Sequence, residues 1–176
     1  MLLATFTYFL SKTSKIMKYI FRISFVLLSV ALILFSFKKP SQEVPNITPI
    51  KSSQLVKVSA GFGMRTHPLT KAAKMHTGID YVAKLGTPVM ATADGKVIKI
   101  EHKSTGYGNN LIIKHANGFK TRYSQLKDIK VTLGQKVSQK DIVGTVGSSG
   151  TSTGPHLHYE IELNGTKVNP EYYINN

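Results

Sequence analysis

Apolar and polar residues alternate in short runs along the chain from Val58 onward, and turn residues separate these runs at close spacing. Alternation with a period of two is typical of strands that bury one face. No stretch of this region has the apolar spacing of a three-turn amphipathic helix, although residues 170–173 can begin a short terminal one. The pattern therefore predicts a compact all-β domain over residues 58–176.

Two dipeptides predict tight connections between neighbouring strands. Asp94-Gly95 and Asn117-Gly118 each lie between two alternating runs. Both dipeptides favour the positive φ angles of two-residue hairpin turns. The sequence therefore predicts one β-hairpin at each position.

The run at 156–163 predicts a strand with two contrasting faces. The apolar face, which can be buried in a core, consists of Leu157, Tyr159, Ile161 and Leu163. The polar face consists of His156, His158, Glu160 and Glu162. Neutral imidazole is a frequent metal ligand and proton shuttle near neutral pH, so the two histidines are candidates for either role. A polar strand face without chemistry is the alternative.

A second pair of candidate ligands, His76 and Asp80, lies upstream. One histidine, one carboxylate and a later histidine make a three-ligand set with an open position, which is the pattern of a catalytic zinc site. Because the chain has no cysteine, a thiolate zinc site and a disulfide framework are both excluded. A His–Asp surface pair is the alternative interpretation.

The first 37 residues predict an N-terminal membrane anchor. Residues 23–37 carry no charge, and this run is slightly shorter than the roughly 20 residues of a spanning helix, but Arg22 can snorkel to the interface. Lysines precede the run, so the positive-inside rule places the N-terminus in the cytoplasm and the rest of the chain outside. A cleaved signal that starts at Met17 is the alternative. Residues 38–57, which include three prolines, predict a flexible linker.

The net charge of +14 favours an anionic partner, such as lipid headgroups or an acidic polymer. The basic residues are scattered and carry no nucleic-acid-binding signature, so no nucleic-acid partner is expected. A solvated basic surface is the alternative interpretation.

The order of the motifs resembles that of the lysostaphin/LytM-type zinc endopeptidases. His76-x-x-x-Asp80 is followed by Gly108-Asn109, by a Tyr-x-x-Leu element, and by Gly-Pro-His-x-His at the end of a glycine- and serine-rich loop. Members of this family are secreted or membrane-tethered enzymes that cut peptide bonds in bacterial peptidoglycan. The resemblance extends from Gly61 to about Tyr172. It implies a two-sheet fold of the duplicated-hybrid-motif or barrel-sandwich type, with the site in a groove between loops.

The same resemblance implies roles for individual residues. The implied Zn²⁺ ligands are His76, Asp80 and His158. The candidate substrate-binding residues are Arg65, Asn109 and Tyr123. Arg65 is a candidate on its own residue type, since it lies in a glycine-bearing loop at 61–68 where it could face a substrate carboxylate, and a purely structural turn is the alternative. His156 is the implied catalytic histidine beside the metal. Glu160 is a candidate for fixing a histidine tautomer, and an exposed glutamate without a role is the alternative.

The chain departs from the family at one position of the site. The family usually has a second catalytic histidine in Tyr-x-His-Leu, whereas this chain has Tyr123-Ser124-Gln125-Leu126. An amide cannot take up and pass on a proton in this pH range, but its NH₂ group can donate a hydrogen bond to water or to a developing oxyanion. Gln125 therefore predicts a slower enzyme, or one whose second group only orients, and an inactive site is the alternative.

The expected protein is a zinc endopeptidase of peptidoglycan, anchored in the cytoplasmic membrane with its domain outside the cytoplasm, or secreted if the signal is cleaved. The alternative is a non-catalytic or weakly active LytM-like module that binds peptidoglycan or regulates another cell-wall hydrolase. The complete ligand set favours the enzyme, and Gln125 favours the module. A biotinyl- or lipoyl-type carrier is disfavoured because the predicted turn at 94–95 has no lysine at its tip.

Overall fold

The chain divides into two compact units, Met1–Pro40 and Ser41–Asn176. The structure is a computed structural model that describes residues 17, 20–25, 42–66 and 72–174. The described residues of the first unit are helical. Within the described parts of the chain, no helix has the length and apolar character needed to cross a membrane. Most of the predicted anchor at 1–37 lies outside the described residues.

The described part of the second unit consists almost entirely of strands. They are β1 (Leu55–Ala60), β2 (Gly63–Thr66), β3 (Ala73–His76), β4 (Ile79–Ala83), β5 (Pro88–Met90), β6 (Gly95–Glu101), β7 (Asn110–Lys114), β8 (Phe119–Ser124), β9 (Leu126–Ile129), β10 (Lys136–Val137), β11 (Ile142–Val146), β12 (His156–Leu163) and β13 (Thr166–Val168). Two short 3-10 helices span Ser52–Gln54 and Pro170–Tyr172. The prediction of a mostly β domain is confirmed.

The strands form three open sheets. The largest has the order β1-β4-β12-β8-β7-β6-β10, and β13 pairs with β12 beside this path. A three-stranded sheet has the order β5-β11-β9, and β2 and β3 form a separate two-stranded sheet. The small β2–β3 sheet is an addition to the expected two, and its last residue is His76.

Strand β12 lies between β4 and β8 and shows the alternation that the sequence predicts. Leu157, Tyr159 and Ile161 are fully buried in the core of the domain. The opposite face of the strand is covered as well, since Glu160 is 0% exposed and His158 is 7% exposed. Burial of two polar side chains on this face requires partners for both of them.

The hairpin predicted at Asn117-Gly118 is confirmed. These two residues have φ angles of 55° and 80°, and they connect β7 to β8, which pair with each other. Positive φ at both central positions is what a tight turn of this kind requires.

The hairpin predicted at Asp94-Gly95 is wrong. Strand β5 pairs with β11, whereas β6 pairs with β7 and β10 in another sheet. Asp94 instead marks a crossing between sheets, where its carboxylate accepts hydrogen bonds from the backbone N–H groups of Gln42 at 3.0 Å and Gln139 at 2.7 Å.

The predicted flexible linker at 38–57 is wrong for the residues from 42 onward. Ile50 is fully buried in the core, and the backbone N–H of Met90 donates a hydrogen bond of 2.8 Å to the carbonyl of Pro49. Strand β1, which pairs with β4, already begins at Leu55. Burial of an apolar side chain and backbone pairing hold this segment on the domain.

Candidate metal centre and its cleft

Three strands bring the predicted metal ligands together. Strands β4 and β12 are neighbours, and their register places Asp80 directly opposite His158. His76 ends β3, and only two residues separate it from β4. A β-carbon on Gly78, within this connection, would overlap the carbonyl oxygen of Tyr159. The close approach of the connection to β12 therefore requires glycine.

The three donor atoms converge on one point. His76 Nε2 lies 3.2 Å from Asp80 Oδ1 and 3.1 Å from His158 Nδ1, and the last two atoms are 2.8 Å apart. All three residues are buried. A tetrahedral zinc site with ligand distances of about 2.0–2.1 Å separates neighbouring ligand atoms by about 3.3 Å. Two imidazole nitrogens and one carboxylate oxygen therefore fit a zinc ion that keeps an open position.

The surroundings of both histidines set the tautomer that a metal ligand needs. His76 Nδ1 lies 2.6 Å from the carbonyl oxygen of Gly61, and His158 Nε2 lies 3.1 Å from Glu160 Oε1. A carbonyl or an ionised carboxylate only accepts hydrogen bonds, so each of these ring nitrogens carries the proton. His76 Nε2 and His158 Nδ1 can consequently give lone pairs to a bound cation, whereas without a cation His158 Nδ1 can carry a proton and donate it to Asp80 Oδ1, 2.8 Å away.

The charges at the site favour a cation. Burial raises the pKa of Asp80, but hydrogen bonds from His158 and His76 outweigh burial and hold the pKa well below its ordinary value. Burial likewise raises the pKa of Glu160, and its hydrogen bonds, first of all from His158, bring it well below the usual range. Burial lowers the pKa of His158, but hydrogen bonds to Asp80 and Glu160 offset this and raise the pKa. Two ionised carboxylates thus flank the buried imidazoles.

Glu160 is held by partners on all sides. Its Oε1 accepts hydrogen bonds from the hydroxyls of Thr77 and Tyr107, the latter at 2.8 Å. Its Oε2 lies 2.9 Å from Lys167 Nζ and 3.4 Å from Arg122 Nε. The Arg122 guanidinium also stacks 4.4 Å above the centre of the Tyr107 ring. The structure therefore places Glu160 where it can fix the His158 tautomer, and an exposed glutamate is excluded.

The sequence did not identify the groups around Glu160. Tyr107 and Thr77 come from connections far apart in the chain, and only the fold brings them together. The hairpin predicted at 117–118 placed Arg122 in its return strand. The pairing of β8 with β12, which sets Arg122 opposite Glu160, was not predicted.

His156, the implied catalytic histidine, begins β12 and is half-buried. Its Nδ1 lies 2.8 Å from the carbonyl oxygen of Gly154 and 3.3 Å from Ser152 Oγ. Because a carbonyl only accepts hydrogen bonds, the proton lies on Nδ1, and Nε2 is left as a base. His156 and His158 share one face of the strand, so this base lies beside the metal cluster.

Two adjoining cavities form a cleft over the cluster. The residues that line both cavities are Arg65, Asp80, Thr151 and His156. The first cavity is further lined by Lys74, Met75, His76, Thr77, Gly106, Tyr107, Gln125 and His158. The second cavity is further lined by Lys57, Ser59, Val82, Ser152, Thr153, Gly154 and Pro155. The loop at 147–154 thus supplies one wall of the second cavity.

Two of the predicted site residues line the cleft as expected. Arg65 Nη2 lies 3.3 Å from Asp80 Oδ2, which leaves the other carboxylate oxygen to the histidines. Gln125 has a φ angle of 58°, lies in the connection from β8 to β9 and lines the first cavity. Its Nε2 donates to the carbonyl of Gly106 at 3.2 Å. Its buried Oε1 has no hydrogen-bond partner among the described residues.

The other two predicted substrate-binding residues lie away from the cleft. Tyr123 is fully buried, and its hydroxyl accepts a hydrogen bond of 3.0 Å from the backbone N–H of Thr92, so the prediction that it binds substrate is wrong. Asn109 lines neither cavity, and its amide donates to the carbonyl of Leu126 at 3.2 Å. Asn109 therefore joins the loop before β7 to the start of β9.

Comparison with known proteins supports the resemblance seen in the motifs. Residues 74–170 match the family described as Peptidase family M23. The DD-carboxypeptidase/endopeptidase Mpg of Neisseria meningitidis is 47% identical over 125 residues, which cover 71% of this chain and 28% of that protein. The peptidoglycan DD-endopeptidase ShyC of Vibrio cholerae is 44% identical over 115 residues, 65% of this chain and 26% of that protein. The chain thus spans about a quarter of the length of these relatives.

Solved structures agree with this similarity. A zinc-containing peptidase from Vibrio cholerae has a TM-score of 0.67 and 35% identity, with coverage of 73% of this chain and 39% of that one. The catalytic domain of the antimicrobial peptidase lysostaphin from Staphylococcus simulans has a TM-score of 0.61 and 30% identity, with coverage of 66% and 90%. The predicted resemblance to lysostaphin-type peptidases is confirmed.

Proposed function

The chain belongs to peptidase family M23, and from this membership we propose that it is a zinc-dependent endopeptidase that hydrolyses peptide cross-links of bacterial peptidoglycan. The observation that carries the proposal is the cluster of His76 Nε2, Asp80 Oδ1 and His158 Nδ1, which lie within 3.2 Å of one another on the wall of an open cleft. The relatives named as endopeptidases support the reaction, and the one named for peptidoglycan supports the substrate.

Zinc bound by these three residues would supply Lewis acidity, which polarises a peptide carbonyl and makes water more acidic near neutral pH. The chain's own contribution is to keep the ligand atoms preorganised. Gly61 and Glu160 hold the protons of the two imidazoles on the nitrogens that face away from the cluster. Arg65 engages the second oxygen of the Asp80 carboxylate and so restricts its rotation.

His156 is the group that we expect to move the proton. Its Nε2 accepts a proton from the attacking water as the water oxygen bonds to the carbonyl carbon. It then donates this proton to the leaving nitrogen as the C–N bond breaks, which gives a new carboxyl group and a free amine. The hydrogen bond from Nδ1 to the carbonyl of Gly154 keeps the ring oriented through both steps.

Gln125 lines the first cavity, and its side-chain amide already donates one hydrogen bond within the protein. One N–H is committed to the carbonyl of Gly106, so the second N–H remains for substrate, and Oε1 is buried without a partner among the described residues. We propose that the second N–H donates to the oxyanion, while the buried Oε1 accepts a hydrogen bond from a water. Neither contact transfers a proton, which leaves His156 to do so unaided and slows the reaction.

The test is digestion of purified peptidoglycan with the zinc-loaded full chain, followed by mass spectrometry of the released fragments. We expect each cross-linked dimer to be replaced by two monomers whose summed mass exceeds that of the dimer by one water, with no change when His158→Ala is used. Intact dimers in the presence of a protein with bound zinc would instead favour the module that binds peptidoglycan or regulates another hydrolase.

We further propose that the protein acts in the cell envelope, on the outer side of the cytoplasmic membrane. The uncharged run at 23–37 and the lysines before it support this location. Fractionation of cells combined with protease treatment of intact spheroplasts tests it. Degradation of the domain in intact spheroplasts is the expected result, and its protection would contradict the proposal.

A further inference from the structure

The second cavity of the cleft holds a positive charge, on Lys57, that the proposed reaction does not use. Its cationic side chains are Lys57 and Arg65, and the carboxylate on its wall belongs to Asp80. The Asp80 oxygens already engage His158, at 2.8 Å, and Arg65, at 3.3 Å. Among the described residues, Lys57 has no carboxylate partner. A cation in this position, on the wall of a cleft, is available to an anionic group of a ligand.

The register of three neighbouring strands places Lys57 beside the catalytic histidine. Lys57 in β1 is opposite Val82 in β4, and Val82 is opposite His156 in β12. Residues directly opposite each other across a sheet share one face. Two strand spacings of about 4.8 Å separate the backbones of Lys57 and His156 by about 10 Å. The flexible four-carbon stem of lysine can carry its ammonium group most of the way across this gap.

We propose that Lys57, assisted by Arg65, binds a free carboxylate of the substrate, and that this contact selects the bond to be cut. The inference rests on the proposed function and specifies its substrate class. The preferred bond is one whose amine-side residue carries a free carboxylate near the cleaved nitrogen. A carboxylate is the anionic group that a peptide itself supplies, and a lysine recognises it through a charge-assisted hydrogen bond.

His156 lines both cavities, so each cavity can hold the part of the substrate on one side of the cleaved peptide bond. His156 lies between the cavity that contains Gln125 and the cavity that contains Lys57. Because His156 donates the proton to the leaving nitrogen, the residue that bears this nitrogen extends into one of the two cavities. The second cavity suits this residue when it keeps its own carboxylate, because Lys57 in that cavity shares the strand register of His156. An amine-side residue at a peptide C-terminus, or one joined through a side-chain amine, keeps such a carboxylate, whereas the interior of a glycine bridge has none.

The test uses two synthetic cross-linked peptides that differ only in this group, a free carboxylate in one and a carboxamide in the other. Binding to the full chain is measured by isothermal titration calorimetry in the presence of a metal chelator. Cleavage by the zinc-loaded chain is measured separately as kcat/KM. We expect the carboxylate peptide to bind about tenfold more tightly, and the difference to shrink as salt is added. Lys57→Ala should abolish most of this preference and Lys57→Arg should retain it.

Lys74→Ala is the matched control, because Lys74 is also exposed and lines the first cavity. It is expected to affect both peptides equally. Equal binding of the two peptides by the wild-type chain, or a preference that survives in Lys57→Ala, would overturn the inference. Cleavage of both peptides without preference leaves the proposed function standing and refutes the carboxylate site. A Lys57-dependent binding preference without any cleavage supports the carboxylate site and refutes the proposed hydrolysis.

Discussion

Replacement of Glu160 by glutamine tests how the buried carboxylate prepares the metal site. The change keeps the shape of the side chain and removes its charge. Lys167 Nζ and Arg122 Nε lie 2.9 and 3.4 Å from Oε2 of Glu160. The amide of the glutamine will therefore turn its oxygen toward these two cations. Its NH₂ group then faces His158 Nε2, which must become an acceptor. The proton of His158 moves to Nδ1, the atom that a zinc ion needs unprotonated.

The structure sets the expected magnitudes. Loss of a partner that orients a metal ligand typically lowers metal affinity by about 10–100-fold. Loss of one member of a buried ion pair costs about 3–5 kcal/mol. The cost for Glu160→Gln should lie near the lower end, about 3 kcal/mol, because the two cations keep other partners. Lys167 retains Glu162 at 3.2 Å, and Arg122 retains the side-chain oxygen of Asn110 at 2.6 Å.

Two assays separate these effects. Competition with a chromophoric chelator gives the zinc dissociation constant, and thermal unfolding in a chelator gives the stability of the metal-free chain. For a domain of this size, about 3 kcal/mol corresponds to a fall of about 10 °C in Tm. Glu162→Gln is the control, since Glu162 lies two residues further along β12, is partly exposed and pairs with Lys120 at 2.8 Å. It should leave zinc affinity unchanged and cost at most about 1 kcal/mol. Unchanged zinc affinity in Glu160→Gln would refute the reasoning about the tautomer.

Three further predictions follow from other parts of the domain. Gly147→Ala forces a β-carbon into the backbone of Leu126 and Lys127, so it should lower the free energy of urea unfolding by about 3 kcal/mol. Gly154→Ala is the control and should be neutral, because no neighbouring atom lies within 4 Å of its β-carbon. Equal losses of stability in the two variants would contradict this prediction. Gln125→His adds a titratable group to the cleft, so it should raise kcat for a cross-linked muropeptide about 100-fold and add an acidic limb to the pH profile of kcat. An unchanged kcat would contradict the idea that the wild-type chain lacks a second proton-transfer group. In the metal-free chain, the raised pKa of His158 means that its stabilising contribution is present below its ordinary pKa of 6.5 and disappears as pH rises through the raised value. The difference in unfolding free energy between wild type and His158→Gln should therefore shrink from pH 6 to pH 9, and a pH-independent difference would contradict it.

The sequence predicted those features that depend on local pattern. Alternation along β12 identified Leu157, Tyr159 and Ile161 as core, and all three are fully buried. The family resemblance, and not local pattern, implied that His76, Asp80 and His158 share a metal site, and their donor atoms meet in the structure. The prediction for β12 succeeds because a period of two fixes the face of each side chain without knowledge of its neighbours.

Features that depend on distant partners were not predicted. Asp94-Gly95 has the local preference for a hairpin, but the choice of partner strand is decided by β10 and β11, which lie about 40 residues later. The prolines at 45 and 49 indicated a free linker, yet Ile50 beside them is buried against the core. Tyr123 belongs to a family motif, but its phenol lies in the core, where it contacts Thr92. Tertiary packing overrode the local signal at each of these positions.

The central claim is that one zinc ion in the His76–Asp80–His158 cluster supports peptide hydrolysis. Titration of zinc into the chelator-treated full chain, with cleavage of a purified cross-linked muropeptide as the readout, tests it most directly. We expect the rate to be zero without zinc, to rise linearly up to one equivalent per chain and then to stay constant. Asp80→Asn should show no such rise over the same range. Cleavage without metal, or an unaltered titration in Asp80→Asn, would contradict the account.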